Sequence, residues 1–175
     1  MKQKVFPDSS PLVKRLDAQS NRRSFAFFYI TNLCNLTCAH CSFQAGPDQK
    51  ETHMSTSRVL EALDELTGIN DITITGGEPL LHPGFEQVLS RAAANAGTVY
   101  LMTNGVELIG KKRIRDFAKT DDMTELKKGL KYAMESFPEN LQLFFPLDSF
   151  HLKAFRPFSF LLKGLATLAL SLIHI

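Results

Sequence analysis

Three cysteines, Cys34, Cys38 and Cys41, are all that this 175-residue chain contains, and they fall within the eight positions "CNLTCAHC". Such short spacings do not suit a relaxed disulfide framework, and an odd number leaves one thiol over. Three thiolates on one loop are soft ligands, suited to an iron–sulfur cluster or to zinc. A four-iron cubane usually takes four cysteines, so three leave one iron open for chemistry. Zinc needs a fourth ligand to close a structural site, and His40 or His53 would have to supply it. His40 lies between Cys38 and Cys41, where ring geometry makes it hard for all three to reach one ion, and His53 sits in a polar stretch. The spacing favours the cluster; the alternative is a non-catalytic zinc-binding module using the same loop.

The segments around this loop indicate what holds it. "SFAFFYIT", residues 24–31, is aromatic and β-branched and reads as a buried strand. A serine and threonine group at 55–57 can cap a helix carrying Val59, Leu60, Leu63 and Leu66, with Gly68 as its stop. Ile72 and Ile74 mark a second strand broken by Gly76 and Gly77, and a second helix follows Pro83 to Ala96, closed by Gly97. "TVYLMTNG" gives a third strand, 106–137 reads mostly helical, and "LQLFFPLDSFH" gives a fourth strand. Strand then helix, four times over, argues for parallel βα units. Each strand ends in residues fit for chemistry: the cysteines, then Gly76 to Pro79, then Thr103 to Gly105, then Asp148 to His151. In a parallel barrel those ends share one face, where active sites form.

Composition narrows the classes without choosing among them. A hydrophobic content of 44% supports a globular core, so the cysteines are not needed as staples. Twenty basic against eighteen acidic residues leave +2, which gives no electrostatic case for nucleic acid or an anionic membrane. The N-terminus lacks the order of a signal peptide, and the clustered thiols suit a reducing compartment, so the expected location is cytoplasmic. Residues 158–175 are long and apolar, but Lys163 and Gly164 interrupt them, and a core helix is favoured over a membrane span.

The order of motifs resembles the radical S-adenosylmethionine (radical SAM) superfamily. "CNLTCAHC" matches its Cys-x3-Cys-x2-Cys loop after the first strand, "GGEP" at residues 76–79 its second-strand motif, and "TNG" at 103–105 a common ending of its third strand. The resemblance implies a partial parallel (β/α)6 TIM-like barrel of the α/β class, here truncated after about the fourth strand. It implies that Cys34, Cys38 and Cys41 bind three irons of a [4Fe-4S] cluster while S-adenosylmethionine chelates the fourth. Reductive cleavage would give a 5′-deoxyadenosyl radical that abstracts hydrogen from a substrate: peptide, nucleotide or small metabolite. An electron donor such as flavodoxin or ferredoxin would serve it.

Carried over residue by residue, the resemblance assigns cofactor contacts to Gly76, Gly77, Glu78 and Pro79, with Glu78 or nearby carbonyls accepting from the methionine ammonium. Asp148 and Ser149 fall where the family often binds the ribose hydroxyls, though either residue would equally suit a helix N-cap. His40 holds a position where an aromatic ring commonly flanks the adenine. Asn104 suits a turn more than a ligand contact, and Phe43 suits the core more than the adenine. His151 and the run Lys111, Lys112, Arg113 and Arg115 read as solvated.

These readings divide the chain into a polar lead-in at 1–23, a loose segment or a short cap, and an incomplete core domain at 24–169. Residues 170–175, "LSLIHI", are what a sequencing-library adapter encodes in frame, so they are expected to be a scar.

Overall fold

The structure is a computed structural model that describes residues 10–20, 23–49, 53–109 and 137–145. Four parallel strands form one sheet in the order β1-β2-β3-β4: β1 Phe25–Tyr29, β2 Ile69–Thr75, β3 Ala96–Met102 and β4 Leu141–Phe144. Helix α2, Thr56–Asp64, connects β1 to β2, and α3, Phe85–Asn95, connects β2 to β3. A short helix α4, Val106–Ile109, follows β3. Parallel strands in sequential order, with helices between β1 and β2 and between β2 and β3, give an α/β architecture consistent with part of a barrel wall.

Strand periodicity sorts the sheet into two faces. Phe28 and Ile30, Ile72 and Ile74, and Val99 and Leu101 are buried, and they pack with Val59 and Leu63 of α2 and Val88, Leu89 and Ala92 of α3. The intervening residues Phe25, Phe27, Tyr29, Met102 and Phe144 are exposed. Register places Tyr29 beside Thr75 and Met102 beside Phe144 at the C-terminal end of this face.

Part of the lead-in is helical. Helix α1, Pro11–Ser20, buries Val13 completely within the core cluster. Ser10 fixes its start: its N–H donates to the Thr67 carbonyl at 2.8 Å and its hydroxyl to the Glu65 carbonyl at 2.5 Å.

Three local expectations need correction. Gly97 does not close α3; the helix ends at Asn95, and Gly97 is already the second residue of β3. A Cβ there would lie 2.8 Å from the Asn70 carbonyl oxygen of β2, so the glycine answers to strand packing. Ser55 occupies the N-cap of α2 but makes no side-chain capping bond; its hydroxyl lies 3.4 Å from that of Ser57. Gly68 stands at the end of the turn leading into β2, at φ 90°, rather than directly behind the helix. The helix expected over 106–137 begins at Val106, and its remainder lies mostly outside the described residues, as does residues 146–151 of the expected fourth strand. Among the described residues, no helix is long and apolar enough to cross a membrane.

Candidate functional site

The cysteine loop folds back onto its own stem. Thr31 bridges His53 and Leu33 bridges Gly46. The Cys34 N–H donates to the Gly46 carbonyl at 3.2 Å, and the Gly46 N–H donates to the Asn32 carbonyl at the same distance. Within the loop, Cys41 N–H donates to the Cys38 carbonyl at 3.0 Å and Gln44 N–H to the Cys41 carbonyl at 3.1 Å, with Gln44 in the left-handed region at φ 49°. Cys34 is buried, whereas Cys38 and Cys41 are half-buried, and none of the three is in a disulfide.

Two glycines let the end of β2 clamp that stem. The Gly77 N–H donates to the Thr31 carbonyl at 2.6 Å and the Glu78 N–H to the Leu33 carbonyl at 2.8 Å. A Cβ on Gly76, at φ 143°, would lie 2.3 Å from the Thr31 carbonyl oxygen; one on Gly77 would lie 2.3 Å from that of Leu33. Both distances are far inside van der Waals contact. The pair is therefore required by close approach of the cysteine loop's own backbone.

Glu78 braces the neighbouring strand end. It is fully buried, and its carboxylate accepts from the Thr103 hydroxyl at 2.8 Å, the Asn104 N–H at 2.8 Å and the Leu80 N–H at 3.2 Å. Desolvation pushes its pKa up to about 7, against the lowering effect of those three donors. Glu78, which with nearby carbonyls is expected to accept from an ammonium, also makes these bonds inside the protein, and Pro79 is buried beside it at the start of a short 3₁₀ turn, Pro79–Leu81.

Asn104 joins the two halves. Its Oδ1 accepts from the Val106 N–H at 3.0 Å, as a turn residue would, while its Nδ2 donates to Asn35 Oδ1 at 2.7 Å and lies 3.7 Å from Cys34 Sγ. Asn35 in turn donates to Glu107 at 3.0 Å.

A cavity of about 320 Å³ lies between the loop and the strand ends. Its walls include Cys34, Cys38, His40, Cys41 and Phe43 from the loop, Thr75 to Gly77 from β2, and Met102 to Asn104 from β3. Of the residues singled out in the sequence, the three cysteines, His40, Gly76, Gly77 and Asn104 meet here; Glu78 and Pro79 stand behind the wall. Asp148, Ser149, His151 and the 111–115 basic run lie outside the described residues. Phe43 is not core: it is half exposed, packed at a tilt against Tyr29 with ring centroids 4.6 Å apart, and lines the cavity.

The donor set fits thiolate-bound iron. Buried Cys34 Sγ receives the Leu36 N–H at 3.4 Å as well as the Asn104 amide, the environment a cluster-bound sulfur uses. As a free thiol its pKa is raised to about 11, chiefly by desolvation, so an apolar pocket without a cation leaves it protonated. Among the described residues, no three Cys, His, Asp or Glu side chains are grouped to hold a single metal ion. A cluster does not require that convergence, because each thiolate binds a different iron. His53 does not line the cavity; its ring stands edge-on to that of His82, 5.5 Å away, and its buried Nδ1 has no hydrogen-bond partner among the described residues.

Comparison with known proteins decides the family. The sequence profile of the Radical SAM superfamily matches residues 28–141, which include the cysteine loop, both glycines and the end of β3. The chain belongs to the radical SAM superfamily. Among its radical SAM relatives, a GTP 3',8-cyclase of Chlorobaculum tepidum is 39% identical over 83 residues, covering 45% of this chain and 25% of that protein. The antilisterial bacteriocin subtilosin biosynthesis protein AlbA of Bacillus subtilis is 34% identical over 82 residues, 46% of this chain and 18% of its own. A GTP 3',8-cyclase of Alkaliphilus metalliredigens is 32% identical over 136 residues, 65% of this chain and 42% of its own. The chain thus spans less than half the length of each. A non-catalytic zinc module finds no support in these relatives.

Sequence reasoning names Thr103 only as part of a strand end and passes over Asn35, which directly follows Cys34; position offers a signal in both cases, but nothing in either side chain announces a bracing bond.

Proposed function

We propose that the protein is a radical SAM enzyme in which Cys34, Cys38 and Cys41 hold three irons of a [4Fe-4S] cluster and S-adenosylmethionine binds the fourth. When bound, these cofactors supply reductive cleavage of the sulfonium to methionine and a 5′-deoxyadenosyl radical, which takes a hydrogen atom from substrate. The observation carrying this reading is the single cavity shared by all three thiols and the ends of β2 and β3.

The chain's own residues have distinct tasks. Backbone of the Gly76–Gly77 turn faces the cavity and is the candidate partner for the methionine ammonium, since the Glu78 carboxylate is already engaged. His40, with Phe43 on the same loop, offers ring surface for the adenine. Asp148 and Ser149 are retained as candidate ribose ligands. A flavodoxin- or ferredoxin-type protein would deliver the electron, and the substrate class stays open across peptides, nucleotides and small metabolites. Anaerobic reconstitution with iron and sulfide, followed by assay for 5′-deoxyadenosine, tests the proposal: its formation requires both cofactors, and a reconstituted protein that yields none contradicts it.

A further inference from the structure

We propose that Asn104 sets the reduction potential of the cluster by donating an N–H to the Cys34 sulfur. This rests on the reading that Cys34, Cys38 and Cys41 are the cluster's ligands. The orientation of the Asn104 amide follows from its partners. Its Oδ1 accepts from the Val106 N–H at 3.0 Å, so the nitrogen must be the atom directed toward Asn35 and Cys34. The two amide hydrogens meet two acceptors, Asn35 Oδ1 at 2.7 Å and Cys34 Sγ at 3.7 Å. The residue is also held from behind, because its own N–H donates to Glu78 Oε2 at 2.8 Å.

Reduction places additional negative charge on the cluster and its sulfurs. A fixed N–H dipole directed at one of those sulfurs stabilises the reduced state more than the oxidised state and raises the potential. The effect is largest where water does not compete, and Cys34 is the most buried of the three cysteines. Asn104 is therefore a positioning residue that acts through Cys34, in addition to its place on the cavity wall.

Two substitutions separate this role from a structural one. Asn104→Ser keeps an oxygen able to accept from the Val106 N–H but is too short to reach the sulfur; Asn104→Asp keeps that acceptor and replaces the donor with a second oxygen. Each reconstituted holoprotein is assayed for iron and sulfide content, and its midpoint potential is read by electron resonance during a redox titration. The expected result is full cluster content with the midpoint shifted to more negative potential, further in Asn104→Asp than in Asn104→Ser. Full content with an unshifted or more positive midpoint overturns the inference while leaving the cluster assignment intact.

Should either variant lose the cluster, the wild type carries the test. Asparagine labelled with 15N at the side-chain amide is expected to give a nitrogen coupling to the reduced cluster in pulsed electron resonance. Absence of that coupling overturns the inference. A wild type that takes up no cluster at all overturns the cluster assignment and this inference together.

Discussion

Glu78 Oε2 accepts the backbone N–H of Asn104 at 2.8 Å, so the turn after β2 and the end of β3 are fastened by one buried carboxyl group. The same turn is pinned to the cysteine loop through the Gly77 and Glu78 amides. Three strand ends are thereby fastened into one wall.

The folded pKa of Glu78, about 7, lies above its ordinary value of 4.5. Below pH 4.5 the carboxyl is neutral in both folded and unfolded chains. Between 4.5 and 7 the unfolded chain ionises first, so stability is lost as pH rises through that window. Relative to Glu78→Gln, the wild type should lose on the order of 3 kcal/mol across it. Denaturant unfolding of the metal-free pair at a series of pH values checks this; a stability difference that stays flat from pH 4.5 to 7 contradicts it.

Alanine at Gly77 or Gly76 forces a methyl against the Thr31–Leu33 backbone, 2.3 Å from a carbonyl oxygen in each case. Each should cost about 1–3 kcal/mol, since strained packing of this kind falls in that range. Gly46→Ala is the control, because nothing lies within 4 Å of its added Cβ. Chemical denaturation should leave Gly46→Ala near wild type and shift the other two; equal behaviour of all three would remove the clamp.

Val13 is fully buried in the core cluster although it precedes the first strand. Val13→Ala removes two buried carbon groups and should destabilise by roughly 2 kcal/mol. Thermal melting of the variant provides the measurement, and an unchanged midpoint would show that α1 is not part of the cooperative unit.

Phe43 packs against Tyr29 and lines the cavity while remaining half exposed. Phe43→Ala should leave the fold nearly as stable but weaken S-adenosylmethionine binding by roughly two- to tenfold, the value of one aromatic contact. Calorimetric titration of the reconstituted protein reads the affinity; unchanged affinity would assign Phe43 to substrate or to packing instead.

Much of this arrangement was legible because it rests on periodicity and on strong local signals. The buried alternation of Phe28, Ile30, Ile72, Ile74, Val99 and Leu101 is the two-residue period of strands covered by helices, and motif order placed the cysteines and glycines on one face. What escaped depends on tertiary approach. Gly97 looks like a helix stop until the Asn70 carbonyl is seen against it, and nothing in the sequence shows that Glu78 also accepts from Thr103, Asn104 and Leu80. Phe43 suits the core more than the adenine as sequence, whereas the turns after Cys41 carry it out to the cavity wall. Hydrophobicity ranks side chains by transfer energy and says nothing about which wall they stand in.

The most direct test of the central claim is electron resonance on the anaerobically reconstituted and reduced protein, with and without S-adenosylmethionine. The account predicts a reduced-cluster signal that changes when S-adenosylmethionine is added and is lost when Cys34, Cys38 or Cys41 is replaced by alanine. A colourless protein that binds zinc and gives no such signal would contradict it.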